Sequence, residues 1–176
     1  NASTIFAGDN EFPTGGYVYK STNDGADWTL TFGATDQGVT SLAANGNNIY
    51  AGCSVYGVNK STDNGQSWTQ TSLINRNVNC LAINGNNIFA GTLAFYGVYL
   101  STNNGTNWAQ TSLNNLDIRS LAVNGNNVFA GTFNNLGIFV SNDNGSTWLA
   151  RNEGLPLTSA VSALCITGYY AFAGPF

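Results

Sequence analysis

Ionisable side chains that could carry out catalysis are scarce in this sequence. The 176 residues include nine acidic and five basic side chains and no histidine. Hydrolysis of a glycosidic bond needs two carboxylates that face one cleft, and the acidic residues in predicted loops are Asp9, Glu11, Asp36, Asp117 and Glu153. No recognisable motif pairs any two of them. The sequence therefore favours a non-catalytic protein, and a fragment of a glycoside hydrolase is the alternative.

The three cysteines give no reason to expect a metal or another cofactor. Cys53, Cys80 and Cys165 lie in apolar strand patterns, and no two of them form a Cys-x-x-Cys pair. Since histidine is also absent, a zinc site is not expected. Buried free thiols are the favoured interpretation, and one disulfide with a spare thiol is the alternative.

Aromatic and amide side chains in loops are the remaining candidates for a binding site. Aromatic rings can stack on sugar rings, while asparagine amides donate and accept hydrogen bonds. The predicted binding residues are Phe12, Tyr56, Tyr96, Phe133, Asn75, Asn114 and Asn134. The alternative is that these rings pack between neighbouring structural units.

A repeat supplies the elements that must position these side chains. Tryptophans recur with a spacing of 40 residues, and each closes an eight-residue segment that we call a tryptophan turn. The four turns read STNDGADW from Ser21, STDNGQSW from Ser61, STNNGTNW from Ser101 and SNDNGSTW from Ser141. A second block recurs as SLAANGNNIYAG from Ser41, CLAINGNNIFAG from Cys80 and SLAVNGNNVFAG from Ser120, with a degenerate copy from Ala163. Such periodicity is typical of repeat architectures.

Each repeat is predicted to form four short antiparallel strands. In the third repeat these are Val78–Ile83, Asn87–Thr92, Gly97–Ser101 and Asn107–Thr111. Asn-Gly pairs at Asn45, Asn84 and Asn124 predict type I′ hairpin turns. Four strands in about 40 residues match one propeller blade. We therefore predict an all-β propeller with under about 5% helix, a single region with units at 1–37, 38–76, 77–116 and 117–159 and a partial unit at 160–176.

The tryptophan turns resemble the Asp-box, S-x-D-x-G-x-T-W, of neuraminidase-type (BNR) repeats. The turn from Ser141 matches fully, whereas Asn23 and Asn103 replace the acidic residue and Ser67 replaces the threonine in other copies. The resemblance implies a structural role, remote from the ligand face, for Ser21, Asn23, Gly25, Trp28, Ser61, Asp63, Gly65, Trp68, Ser101, Asn103, Gly105, Trp108, Ser141, Asp143, Gly145 and Trp148. A calcium loop at Asp143 is the alternative, although the further ligands of an EF-hand are absent.

The resemblance also bears on function, because the family includes sialidases, xyloglucan-cleaving glycosidases, receptors and proteins without assigned activity. A sialidase would require an arginine cluster, and the chain has only Arg76, Arg119 and Arg151. The leading hypothesis is a non-catalytic module of a secreted or cell-surface protein, for binding or surface assembly, with carbohydrate recognition as one such role. The alternatives are a fragment of a sialidase-like or xyloglucanase-like hydrolase and a purely structural repeat.

Charge and the terminal strands narrow the expected partners to glycans or proteins. The net charge of −4, with no basic cluster, argues against nucleic acid. The sequence contains no run of about 18 apolar residues, so membrane insertion is not expected. The chain starts at a second strand, Thr4–Gly8, and ends with a first and a second strand, Val161–Ile166 and Tyr170–Gly174. We therefore expect either a segment of a larger propeller or self-association through incomplete terminal blades.

Overall fold

All the regular structure that can be described is β-strand, which confirms the predicted fold class. The computed structural model describes residues 4–10, 15–34, 38–133, 135–155, 160–167 and 170–175. Within those ranges, no helix is long and apolar enough to cross a membrane. The strands form five antiparallel sheets in which chain neighbours are also sheet neighbours.

The chain divides into two compact units, Asn1–Val78 and Asn79–Phe176. In the first unit, the first sheet has three strands, β1 (Ile5–Gly8), β2 (Gly16–Ser21) and β3 (Thr29–Ala34). The second sheet has four strands, β4 (Val39–Asn45), β5 (Asn48–Cys53), β6 (Gly57–Ser61) and β7 (Thr69–Gln70).

The second unit repeats the four-stranded sheet twice and then adds a hairpin. The third sheet, whose first residue closes the first unit, has β8 (Val78–Asn84), β9 (Asn87–Thr92), β10 (Val98–Ser101) and β11 (Ala109–Gln110). The fourth has β12 (Ile118–Asn124), β13 (Asn127–Thr132), β14 (Ile138–Ser141) and β15 (Leu149–Ala150). The fifth has only β16 (Val161–Thr167) and β17 (Tyr170–Pro175). Self-association through the first and last sheets stays a prediction.

The outermost strands of the four-stranded sheets have only two residues each, and the one in the third sheet is shorter than the sequence predicts. In the third sheet β11 covers only Ala109–Gln110, where the repeat predicts Asn107–Thr111. The cause is the tryptophan turn, since the Asn107 N–H donates to Asn103 Oδ1 at 2.8 Å and is therefore not available to the sheet. The Thr111 N–H still donates to the Val98 carbonyl, so the ladder continues by one bond past β11.

The hairpins between first and second strands are type II′ turns, so the type I′ prediction is wrong. Asn45 pairs across the ladder with Asn48 in the second sheet and Asn124 pairs with Asn127 in the fourth, which leaves two-residue loops. In the third sheet the equivalent loop between β8 and β9 is Gly85-Asn86. Among these two loop residues only Gly85 has positive φ, at 59°. Positive φ at the first loop position alone, filled by glycine, is the pattern of a type II′ turn.

Second strands contribute core residues to both units. In β5 and β9, which are interior strands of their sheets, every residue after the first asparagine is buried. Core residues of the first unit are Val18, Val39, Ala51 and Cys53, with Phe6, Phe32, Leu42 and Trp68 packed against them. Core residues of the second are Ala82, Phe89, Val98, Leu113, Ile118, Val128 and Ala130.

The three cysteines are unpaired, but only one of them is buried. Cys53 is buried, Cys80 is half-buried and Cys165 is exposed. Burial of the sulfur raises the pKa of Cys53 and raises that of Cys80 to about 12. Buried thiols are thus the wrong prediction for Cys165, which lies on a hairpin that no third strand extends.

Candidate functional site

The tryptophan turns are held by hydrogen bonds within their own eight residues. In all four, the first serine Oγ accepts from the glycine N–H four residues later, at 2.7–2.9 Å. The Asp or Asn at the third position uses its Oδ1 in the same way, accepting from the N–H four residues later at 2.8–2.9 Å. Because Asp and Asn both provide this oxygen, either residue satisfies the turn.

The glycines of these turns are required both by backbone conformation and by space. Gly145 has φ of 85°, and a Cβ there would lie 2.8 Å from Phe89 Cε1. Gly65 has φ of 83°, and its Cβ would lie 2.7 Å from Phe6 Cε1. In each case the turn of one sheet lies against the second-strand aromatic ring of the sheet before it. The tryptophan turns therefore cover the core.

Two of the turns contain carboxylates with perturbed acidity. Thr147 donates to Asp143 through its hydroxyl, at 2.6 Å to Oδ2, and through its backbone N–H, and Ser141 Oγ adds a third bond. Together these bonds lower the pKa of Asp143 to about 2. Ser67 in the same way lowers the pKa of Asp63 well below its usual range. Among the described residues, no group of three His, Cys, Asp or Glu side chains could hold a metal ion.

The tryptophans themselves lie at the surface more than in the core. Trp28 is 43% exposed, and Trp68, Trp108 and Trp148 are half-buried. The Trp148 indole N–H donates to the Gly145 carbonyl at 3.1 Å, which fastens the ring to its own turn. Trp68 packs on Phe32 with a centroid distance of 5.0 Å.

The opposite end of each sheet, which we call the loop end, contains those predicted binding residues that the structure describes. Phe12 and Asn134 lie outside the described residues. In the first unit Tyr56 and Asn75 are exposed, and in the second unit Tyr96, Phe133 and Asn114 are exposed. The described rings are therefore at the surface, with 40–46% of each accessible. Their role in binding stays a prediction.

The backbone conformation at position 75 explains why an asparagine is found there. Its φ is 55°, and Asn115, at the same place in the next repeat, has φ of 59°. Asparagine tolerates this left-handed conformation better than most residues. Asn114 is the repeat equivalent of Ile74, and its side-chain oxygen accepts from Asn115 Nδ2 at 2.9 Å.

Asp117 ties two aromatic loops together at the loop end of the second unit. Its Oδ1 accepts from the Phe95 N–H at 2.7 Å, and its backbone carbonyl accepts from the Phe133 N–H at 3.0 Å. The carboxylate supports an unusual backbone, because Ala94 and Phe95 both have positive φ, at 58° and 63°. Such conformations are costly for residues with large side chains and persist where the surroundings fix them.

Two residues further along, Arg119 is charged, whereas the equivalent residues of the preceding repeats are neutral. At the equivalent positions, Thr40 donates to the Val78 carbonyl and Asn79 donates to the Arg119 carbonyl, so each joins its first strand to the next. The Arg119 guanidinium instead lies over the Phe133 ring, with Cζ 4.3 Å from the centroid. Ser120 makes the link to the next first strand, donating to the Val161 carbonyl at 3.0 Å.

Phe95, Tyr96, Asp117, Arg119 and Phe133 form what we call the Asp117 cluster. Gln110 Nε2 donates to the Tyr96 carbonyl at 2.7 Å and braces the loop that carries Phe95 and Tyr96. Reasoning from the sequence selected Tyr96 and Phe133 for binding but missed Phe95, Asp117 and Arg119 in that role. Aligning the repeats would have revealed two of these, since Asp117 and Arg119 replace the neutral Asn77 and Asn79.

Comparisons with known proteins identify the fold. No family model and no curated protein matches the sequence. Among solved structures, the computationally designed Ika4 protein is similar at 17% identity, with 81% of this chain and 88% of that chain covered and a TM-score of 0.68. An ancestral GH74 enzyme is similar at 25% identity, with 84% and 23% covered and a TM-score of 0.62.

The third similar structure is the extracellular domain of a one-component system from B. thetaiotaomicron. Its identity is 18%, with 98% of this chain and 25% of that chain covered and a TM-score of 0.73. The chain thus spans about a quarter of this protein and of the GH74 enzyme. At these identities the likeness concerns the backbone alone, and it shows that the chain has the β-propeller fold.

Proposed function

We propose that this chain is a non-catalytic β-propeller module of a secreted or cell-surface protein, and that it binds carbohydrate through the Asp117 cluster. In this proposal the tryptophan turns are Asp-boxes of the BNR type and stabilise the blades. The observation that carries it is the set of exposed rings, Phe95, Tyr96 and Phe133, on loops that Asp117 fastens to one another.

The loops of the Asp117 cluster are already fixed, and this favours binding because a ligand does not have to order them. Ordering loops and side chains on binding costs free energy, and a site that is already ordered avoids that cost. The Phe95 and Phe133 N–H groups are both held by Asp117, and Gln110 holds the Tyr96 carbonyl. Rings supported in this way offer flat apolar faces to the C–H face of a sugar.

The low charge and polar surface support an extracellular role. Charged residues make up 8% of the sequence, and one similar structure is an extracellular domain. Asn, Ser, Thr and Gly take the place of charged residues in the repeats, and they offer hydrogen bonds to sugar hydroxyls without competing charges.

A fragment of a glycoside hydrolase is the second candidate, favoured by the likeness to the GH74 enzyme. That function requires a second carboxylate opposite Asp117 or another acid. Release of reducing sugar from xyloglucan by the purified chain, lost in Asp117→Asn, would favour this candidate over the binding module.

The binding proposal is tested with polysaccharides and three variants. Phe133→Ala and Tyr96→Ala should each weaken binding of a recognised polysaccharide about tenfold, equivalent to about 1.4 kcal/mol, because each removes one stacking face. Tyr170→Ala is the matched control, because Tyr170 is 70% exposed and lies outside the cluster. Isothermal titration calorimetry measures the affinities. Failure of the chain to bind any polysaccharide, or an equal loss in the control, would refute the proposal.

A further inference from the structure

We propose that the Asp117 cluster recognises an acidic sugar, a uronic acid residue whose carboxylate pairs with Arg119. This inference rests on the proposed function, namely that the cluster binds carbohydrate. It adds the chemical class of the ligand.

Arg119 stands where the architecture does not need an arginine. Thr40 and Asn79 occupy the equivalent positions and link first strands through a neutral side chain. In the fourth sheet Ser120 makes this link, so Arg119 is released from it. A charged residue at a position that is neutral in the other repeats, and whose structural task is done by its neighbour, is free to serve a ligand.

The guanidinium of Arg119 is oriented, and none of the described residues provides it with an anionic partner. It lies over the Phe133 ring, with Cζ 4.3 Å from the centroid, and a guanidinium carries its N–H donors along the edge of its plane. Within the described ranges it forms no hydrogen bond or ion pair. Arg119 is nevertheless half-buried, and a half-buried cation without a counter-ion gains from an incoming anion.

Asp117 lies two residues from Arg119 in the described chain but forms no ion pair with it. Its Oδ1 accepts the Phe95 N–H at 2.7 Å, which uses the carboxylate to hold the loop. A planar guanidinium with free edge donors matches a carboxylate, since two parallel N–H···O bonds can form between them. Phe133 orients the guanidinium and is still 43% exposed, so the cluster combines a carboxylate partner with an aromatic face.

The rest of the molecule gives no general attraction for acidic polymers. The net charge is −4, so long-range electrostatics oppose the approach of an anion. A preference for acidic sugars would therefore have to come from contact with Arg119, and removing that one side chain should remove it.

The experiment compares acidic polysaccharides with the same polymers after chemical reduction of their carboxylates to alcohols. The probes are polygalacturonate, alginate and hyaluronan, with their carboxyl-reduced forms, measured by calorimetry. At least one acidic polymer should bind about tenfold more tightly than its reduced form. Arg119→Gln should abolish this preference, and Arg119→Lys should retain only part of it because lysine lacks the planar fork.

Arg151→Gln is the matched control, because Arg151 is an exposed arginine in another loop of the same unit. It should keep the full preference, and melting temperatures of all variants should show that they are folded. Equal binding of acidic and reduced polymers, or a preference that survives in Arg119→Gln, would overturn the inference and leave the proposed function standing. Absence of binding to acidic and neutral polymers alike would overturn both.

Discussion

Strands β9 and β17 share a Phe-Ala-Gly segment and have opposite surroundings. Phe89 of β9 and Phe172 of β17 both precede an Ala-Gly pair, yet Phe89 is 0% exposed and Phe172 is 58% exposed. The first unit shows the same contrast, since Ile49 of β5 is 2% exposed and its counterpart Ile5 of β1 is 38% exposed. The local pattern determines that a strand forms, and the strands beside it determine whether its side chains are buried.

The difference lies in what covers each ring. β9 has a strand on both sides, and the Gly145 turn lies against Phe89. Among the strands that the structure describes, β17 pairs with β16 alone. Since hydrophobic stabilisation scales with the apolar area removed from water, the same phenylalanine contributes much at one position and little at the other.

Truncating the two phenylalanines tests this comparison with the largest expected effect. Phe89→Ala should lower the free energy of unfolding by about 3–5 kcal/mol, because it removes a fully buried ring and leaves a cavity. Phe172→Ala should change it by less than about 0.5 kcal/mol, as exposed substitutions do. Urea denaturation followed by tryptophan fluorescence measures both. Similar losses in the two variants would show that Phe172 is covered in solution.

The glycines that follow these phenylalanines, Gly91 in β9 and Gly174 in β17, allow the same comparison through the addition of a single atom, a Cβ. A Cβ on Gly91 would lie 2.5 Å from Cys80 Sγ and 2.6 Å from Ile118 Cγ2, whereas a Cβ on Gly174 would meet Ala163 at an ordinary 3.5 Å. Gly91→Ala should therefore cost about 1–3 kcal/mol through overpacking, and Gly174→Ala should be close to neutral. The melting temperatures of the two variants provide the measurement, and the comparison fails if Gly174→Ala is the more damaging.

These contrasts also mark how far the sequence could predict the structure. The interior strands β5, β9 and β13 were predictable. Each follows an Asn-Gly turn, contains apolar residues that end at a glycine near its last position, and has the same bounds in its repeat. The exposure of Cys165 was not predictable, because its strand pattern resembles that of less exposed copies. Burial of those copies depends on residues that are distant in the sequence. The outer strand β11 starts two residues later than predicted because the tryptophan turn uses the N–H of Asn107 for itself.

The candidate site was predictable only in part, for a similar reason. Exposed rings at Tyr96 and Phe133 follow from their place in loops. The bond from Phe95 to Asp117 joins residues 22 positions apart and depends on the positive φ of Phe95, which no local pattern indicates. Arg119 looks like an ordinary strand residue until its stacking on Phe133 is seen.

The smallest effect concerns the turn that covers Phe89, and it depends on pH. The pKa of Asp143 in the folded chain, about 2, lies below its ordinary value because Thr147 and Ser141 donate to the ionised carboxylate. The stabilisation from these bonds is therefore complete above about pH 4 and is lost as the pH falls towards 2. Asp143→Asn keeps the Oδ1 acceptor, as Asn103 does in its own turn, and removes the titration.

The melting temperature of the wild type should thus fall more steeply than that of Asp143→Asn between pH 5 and pH 2. Glu153→Gln is the control, because it removes an exposed carboxylate from a loop, and it should follow the wild type. Parallel curves for the wild type and Asp143→Asn would mean that the carboxylate adds nothing to the cover over Phe89 that an amide does not.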